Sequence, residues 1–120
     1  IAAAISSTRE RYPDFRYTAI FQPHLYTRTR DFAPEFAEAL SNVDRLILLD
    51  IYPAREEPIP GVTSALIYDN LAPGVKKMMI HRDEVLATVE AKKEELEVLV
   101  TLGAGDIENF ASQITSILKG

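Results

Sequence analysis

The chain has 120 residues, of which 47% are hydrophobic and 26% charged, and 13 Lys+Arg against 18 Asp+Glu leave a net charge of −5. That length suffices for one core burying roughly two thirds of the unfolded surface, which excludes a disordered chain, and the acidic balance argues against nonspecific attraction to nucleic acid or an anionic membrane. The absence of cysteine excludes disulfides, thiolate metal sites and thiol nucleophiles and suits a cytoplasmic protein, while apolar runs of only a few residues leave no membrane helix.

The chain opens on Ile1 with no Met and no signal-peptide pattern, as expected of a domain cut from something longer. Residues 1–12 read as an alanine-rich helix closed by Pro13, because the residue before a proline is pushed away from helical geometry. Residues 16–21 (RYTAIF) follow as a first strand. Residues 31–40 then place Phe32, Phe36 and Leu40 on one helix face, with Pro34 expected in the first turn. Residues 45–50 (RLILLD) are nearly all apolar, as suits a strand covered on both faces. Residues 51–62 form a proline-rich loop through Pro53, Pro58, Pro60 and Gly61, and loops of that length usually carry function or mobility.

Ser64 is placed to cap a short helix running to about Leu71, and residues 77–80 (KMMI) give a weak strand signal. Residues 83–93 have acids at the start and lysines at the end, in agreement with a helix macrodipole. Residues 97–102 (EVLVTL) make the last strand. The Gly103-Ala104-Gly105-Asp106 turn then leads into a helix whose Ile107, Phe110, Ile114, Ile117 and Leu118 share a face.

Four strands joined by helical crossovers predict an α/β fold, with a doubly wound, Rossmann-like and mainly parallel sheet flanked by helices in a single domain spanning 1–120. In such sheets ligands sit beyond the carboxyl ends of the strands, near the point where strand order reverses. Three polar segments fall there. The first, residues 22–30, collects His24, Tyr26, Thr27, Arg28, Thr29 and Arg30 before a helix start, where helix N–H groups favour an anion. Arg28 is suited to grip a carboxylate with two parallel hydrogen bonds; equally, Arg28 and Arg30 are ordinary solvated charges and His24 a turn cap.

The second segment, Asp50 to Glu57 with Tyr52 and Glu56, ends a buried strand in an acid that suits a ribose hydroxyl, a metal or an amine, or else local backbone N–H groups. The third is the Gly103–Asp106 turn, half of a dinucleotide fingerprint without its third glycine. On that feature alone the chain reads as a stand-alone nucleotide-binding or interaction module. There is no G-x-x-x-x-G-K-[ST], G-x-S-x-G or H-E-x-x-H, so neither a Walker-type phosphate loop nor familiar hydrolase chemistry is written here. His81, beside Arg82 and Asp83, reads as a surface or capping residue.

Taken together, FQPHLYTRTRDF (21–32), LLDIYPAREEPIPGVTS (48–64) and LGAGDI (102–107) resemble the carboxy-terminal domain of the Mur ligases, in the branch that joins L-alanine to UDP-N-acetylmuramate. The similarity covers essentially the whole chain. It implies a cytoplasmic step of peptidoglycan synthesis in which ATP phosphorylates the muramoyl carboxylate and the amine of L-alanine attacks the acyl phosphate. It also implies that UDP-N-acetylmuramate, ATP and Mg2+ are bound mainly by amino-terminal and central domains absent here, while this domain binds the amino acid and closes the site. No metal ligand and no catalytic group is assigned within it.

On this resemblance Arg28 holds the alanine carboxylate and His24 supports the loop, with Tyr26, Thr27 and Arg30 as further substrate contacts. Asp50, Tyr52, Glu56, Gly103, Gly105 and Asp106 are nucleotide or closure contacts. Leu25 stands where most members carry Arg, so a second cationic contact has to come from elsewhere, such as Arg30. A fragment of this kind is expected to be inactive alone.

Overall fold

In the computed structural model, which describes residues 16–53, 55–92, 94, 98–103, 113, 114, 116 and 117, four strands form one sheet. They are β1 (Tyr17–Gln22), β2 (Arg45–Leu49), β3 (Lys76–Ile80) and β4 (Val98–Gly103). Their order is β3-β2-β1-β4 and every neighbouring pair is parallel. The order reverses between β1 and β4, which puts the ligand-binding crevice expected of such sheets at the carboxyl ends of those two strands.

The connections are helical: α1 (Tyr26–Leu40), α2 (Ala65–Tyr68) and, after a 3-10 turn at Arg82–Glu84, α3 (Val85–Lys92). Strand periodicity sorts the apolar side chains onto two faces. Tyr17, Ala19, Phe21, Leu46 and Leu48 meet Ala33, Ala37 and Leu40 of α1 and Ile67 of α2. On the other face Ile20, Ile47 and Leu49 meet Val85 and Val89 of α3 and Ile114. Coverage from both sides is why β2 is almost continuously apolar, and the sheet is doubly wound as expected.

Boundaries moved at several points. Strand β1 runs one residue later than expected: Arg16 is exposed outside it and Gln22 is buried inside it. Strand β4 is likewise one residue later, β3 begins one residue earlier, at Lys76, and ends at Ile80 as expected, and Asp50 lies just past the end of β2. The largest correction is α1, which begins at Tyr26 rather than Asp31. Residues assigned from sequence to a loop are its first turn, and Pro34 sits in the helix interior. The ring removes the N–H that would bond the carbonyl of Arg30, but both residues are exposed, so water can take up that carbonyl.

The buried face of α1 is Thr29, Ala33, Ala37 and Leu40, at spacings of four, four and three. Phe32 is therefore rotated off the core and is 47% exposed, against expectation. Phe36 lies at the border of that face, half-buried, with its ring centroid 5.5 Å from that of Phe21. Small residues at 33 and 37 let the helix lie close on the sheet.

Helix α2 is shorter than expected, ending at Tyr68, and Ser64 does not cap it. Its hydroxyl instead donates to the carbonyl of Leu49 at 2.5 Å, while Thr63 Oγ1 accepts the N–H of Ala65. The 83–93 helix is divided into the 3-10 turn and α3. The helix expected over 1–12, the Ala104–Asp106 part of the glycine turn, and Ile107, Phe110 and Leu118 lie outside the described residues.

Candidate functional site

Beyond Gln22, which pairs with Gly103 across β1 and β4, the chain keeps its partner on the β2 side through Pro23 and His24. The N–H of Tyr52 donates to the carbonyl of Pro23 at 2.8 Å, and the N–H of Leu25 donates to that of Tyr52 at 2.9 Å. His24 and Tyr52 form an isolated parallel bridge, and their rings stack with centroids 5.8 Å apart and planes 18° from parallel. The two loops leaving β1 and β2 thus stay zipped for one more step past the sheet.

Leu25 then takes φ 71° and ψ 139°, a region that an L side chain rarely adopts. Its carbonyl accepts both the N–H of Thr29, at 3.2 Å, and the Thr29 hydroxyl, at 2.8 Å. Thr29 is fully buried, and this anchoring role was not read from the sequence. A Thr in the first turn of a helix, four residues after a turn, was the available signal.

Leu25 brings no side-chain cap to α1. Glu56 supplies it from the 51–62 loop: Oε1 accepts the N–H groups of Tyr26 at 2.6 Å and Thr27 at 3.1 Å, and Oε2 accepts the Thr27 hydroxyl at 2.6 Å. The Thr27 hydroxyl is the main cause holding the Glu56 carboxyl below its ordinary value; partial desolvation opposes it, and the two N–H groups and the charge of Arg30 add to the lowering. The helix N-terminus expected to receive a ligand anion is occupied by this chain's own carboxylate. Sequence placed Glu56 correctly in the second polar segment but not its partner, because a cap from thirty residues away leaves no local pattern.

Arg28, in the same first turn, is exposed and has no hydrogen bond or ion pair among the described residues. Arg30 differs: its Nε donates to Asp31 Oδ1 at 2.9 Å, and that contact raises its pKa. The structure therefore brings His24, Tyr26, Thr27, Tyr52 and Glu56 into one cluster, leaves Arg28 projecting from it, and ties Arg30 to its neighbour. Gly103 stands at the adjacent strand end; Gly105 and Asp106 lie outside the described residues.

Asp50 belongs to a second grouping. Its Oδ1 accepts the N–H of Arg82 at 3.3 Å, and its Oδ2 lies 3.9 Å from His81 Nδ1. Both side chains border a cavity of about 490 Å³ at the carboxyl ends of β2 and β3, floored by Leu49, Ile51 and Val62 and edged by Tyr26 and Glu84. Among the described residues no group of three or more His, Cys, Asp or Glu side chains is arranged to hold a metal ion, and no helix is long and apolar enough to cross a membrane.

No protein-family model matches the chain. It is 57% identical over 119 residues to the UDP-N-acetylmuramate–L-alanine ligase of Phocaeicola vulgatus, an alignment covering 99% of this chain and 26% of that protein. The enzyme of the same name from Parabacteroides distasonis is 50% identical over 115 residues, covering 96% of this chain and 24% of the relative. That of Paenarthrobacter aurescens is 45% identical over 120 residues, covering 100% and 26%. The chain thus spans about a quarter of the length of the curated relatives it matches. Over 95–100% of its length the chain thus matches UDP-N-acetylmuramate–L-alanine ligases at 41–57% identity, in the portion that forms their carboxy-terminal domain.

Proposed function

We propose that the chain is the amino-acid-binding, closing domain of an ATP-dependent ligase that joins L-alanine to UDP-N-acetylmuramate in cytoplasmic peptidoglycan synthesis. The observation that carries this reading is the alignment of 95–100% of the chain with multiple relatives that bear that enzyme's name. In the proposed reaction a phosphoryl group passes from ATP to the muramoyl carboxylate. The alanine amine attacks the acyl phosphate, an amide C–N bond forms and phosphate leaves.

The chain's own part is to bind and orient alanine. The Arg28 guanidinium, exposed and without a partner among the described residues, meets the alanine carboxylate with two parallel hydrogen bonds. The His24 ring, stacked on Tyr52, keeps the loop beside the end of β1. Asp50, Tyr52 and Gly103 lie on the edge that faces the other domains in this reading. In this reading ATP and Mg2+ are assigned to domains outside this chain, and no step here runs through the metal. Holding the amine close to the acyl phosphate turns a bimolecular step into an effectively unimolecular one.

Alanine kinetics of Arg28→Ala in the full-length ligase test the assignment. The chain by itself, given ATP, alanine and UDP-N-acetylmuramate, is expected to form no amide; amide formation would refute the reading as one domain of three.

A further inference from the structure

Helix α1 starts at a place where its own sequence does not start one. The residue before it, Leu25, has no side-chain acceptor and a strained backbone, and such a conformation persists only where the surroundings impose it. Those surroundings are Tyr52, Pro53 and Glu56. Tyr52 holds the backbone on either side of His24, the N–H of Glu56 donates to the carbonyl of Pro53 at 2.9 Å, and the Glu56 carboxylate takes the two opening N–H groups of the helix. A negative charge is also favoured there by the helix dipole. Arg28 is the very next residue after the pair that Glu56 clamps.

We propose that Glu56 is a positioning residue for the incoming amino acid, which fixes the first turn of α1 and so the direction of the Arg28 guanidinium without touching substrate. This deepens the reading of Arg28 given above and rests on it. The nucleotide or closure contact expected of Glu56 from the resemblance is the weaker alternative, because both of its oxygens already accept hydrogen bonds within the chain. By filling the helix N-terminus, Glu56 also directs a substrate carboxylate to the arginine side chain rather than to backbone N–H groups.

The test uses the full-length ligase, with Glu56→Ala, Glu56→Gln and Thr27→Val compared with Arg28→Ala as the reference. For Glu56→Ala the KM for alanine is expected to rise about tenfold or more, while kcat at saturating alanine and the KM for ATP stay within about threefold. Glu56→Gln keeps one acceptor oxygen and recovers part of the loss; Thr27→Val, lacking one of the three hydrogen bonds, shows a smaller rise of about threefold. Hydrogen exchange should quicken at the Tyr26 and Thr27 amides and stay slow at Ala37 and Leu40.

An alanine KM within about twofold of wild type in both Glu56 variants overturns the proposal. So does a fall in kcat with loss of protection along all of α1, which marks a merely structural role. If Arg28→Ala raises the alanine KM and the Glu56 variants do not, this inference alone fails. If Arg28→Ala has no effect while Glu56→Ala does, Glu56 does not act through Arg28 and the proposal is again overturned. Should Glu56→Ala fail to fold, Glu56→Gln and Thr27→Val decide the matter by the same criteria.

Discussion

Glu56 and Thr27, 29 residues apart in the chain, share a 2.6 Å hydrogen bond between carboxylate and hydroxyl that closes the 51–62 loop onto the start of α1. The contact makes stability depend on acid. The folded carboxyl is more acidic than the ordinary 4.5, chiefly through the Thr27 hydroxyl, so its contribution is complete above that value and is lost as pH falls through the lower folded one. Urea midpoints of wild type and Glu56→Gln should therefore differ most near neutral pH, and the difference should shrink as pH falls below 4.5. A difference that does not shrink at all under acid conditions would remove the carboxylate from the account.

Leu25 offers a test of backbone strain. At φ 71° a β-carbon is unfavourable and glycine is at ease, so Leu25→Gly is expected to be more stable than Leu25→Ala by about 1 kcal/mol, although glycine ordinarily costs about that much relative to alanine. Comparing two truncations cancels the packing of the leucine side chain. Denaturant unfolding that ranks alanine above glycine would show that the turn carries no strain.

The packing of α1 separates residues that the sequence grouped together. Leu40 is fully buried and Phe32 is 47% exposed, so Leu40→Ala should cost about 2–5 kcal/mol and Phe32→Ala less than about 1. Ala37→Leu should cost about 1–3 kcal/mol, since Ala37 is 1% exposed where the helix lies against the sheet. Equal losses for Leu40→Ala and Phe32→Ala in thermal or urea unfolding would contradict the orientation described for the helix.

These residues also show which parts of the molecule were legible in the sequence. The sheet was legible because its signal is local: RLILL is nearly all apolar, as a strand covered on both faces is, and the alternation of strand and helix implies parallel crossovers. The start of α1 was not, because Tyr26 and Thr27 take their cap from Glu56, a contact between distant segments. Residues of high hydrophobicity then drew the expected core face toward Phe32, whereas Ala33 and Ala37, weaker in any hydropathy pattern, are the ones that lie on the sheet. The segments 22–30 and 50–57 were expected beyond the carboxyl ends of the strands, and their described residues follow the ends of β1 and β2. Their pairing did not show: the His24–Tyr52 stack joins two loops, and the helix N-terminus had been left open for a ligand that Glu56 displaces.

Arg28 is the substrate contact in the proposed function, and its prediction is the most exposed to refutation. In the first turn of α1 it is solvent-facing and has no partner among the described residues, whereas Arg30 is engaged by Asp31. If Arg28 meets the alanine carboxylate in the closed enzyme, Arg28→Ala removes a charge-assisted contact and leaves that carboxylate poorly paired away from water. The loss is about 2–5 kcal/mol, a fall of roughly 30- to 5000-fold in kcat/KM for alanine in the full-length ligase. Arg28→Lys should recover only part of it, because an ammonium keeps the charge but not the planar fork. Arg30→Ala should matter less, about fivefold or under, since its guanidinium already serves Asp31. The KM for ATP should move little in all three, which separates loss of a substrate contact from collapse of the domain. Alanine kinetics of Arg28→Ala within about twofold of wild type would make Arg28 an ordinary surface charge and return the search for the carboxylate partner to the other domains.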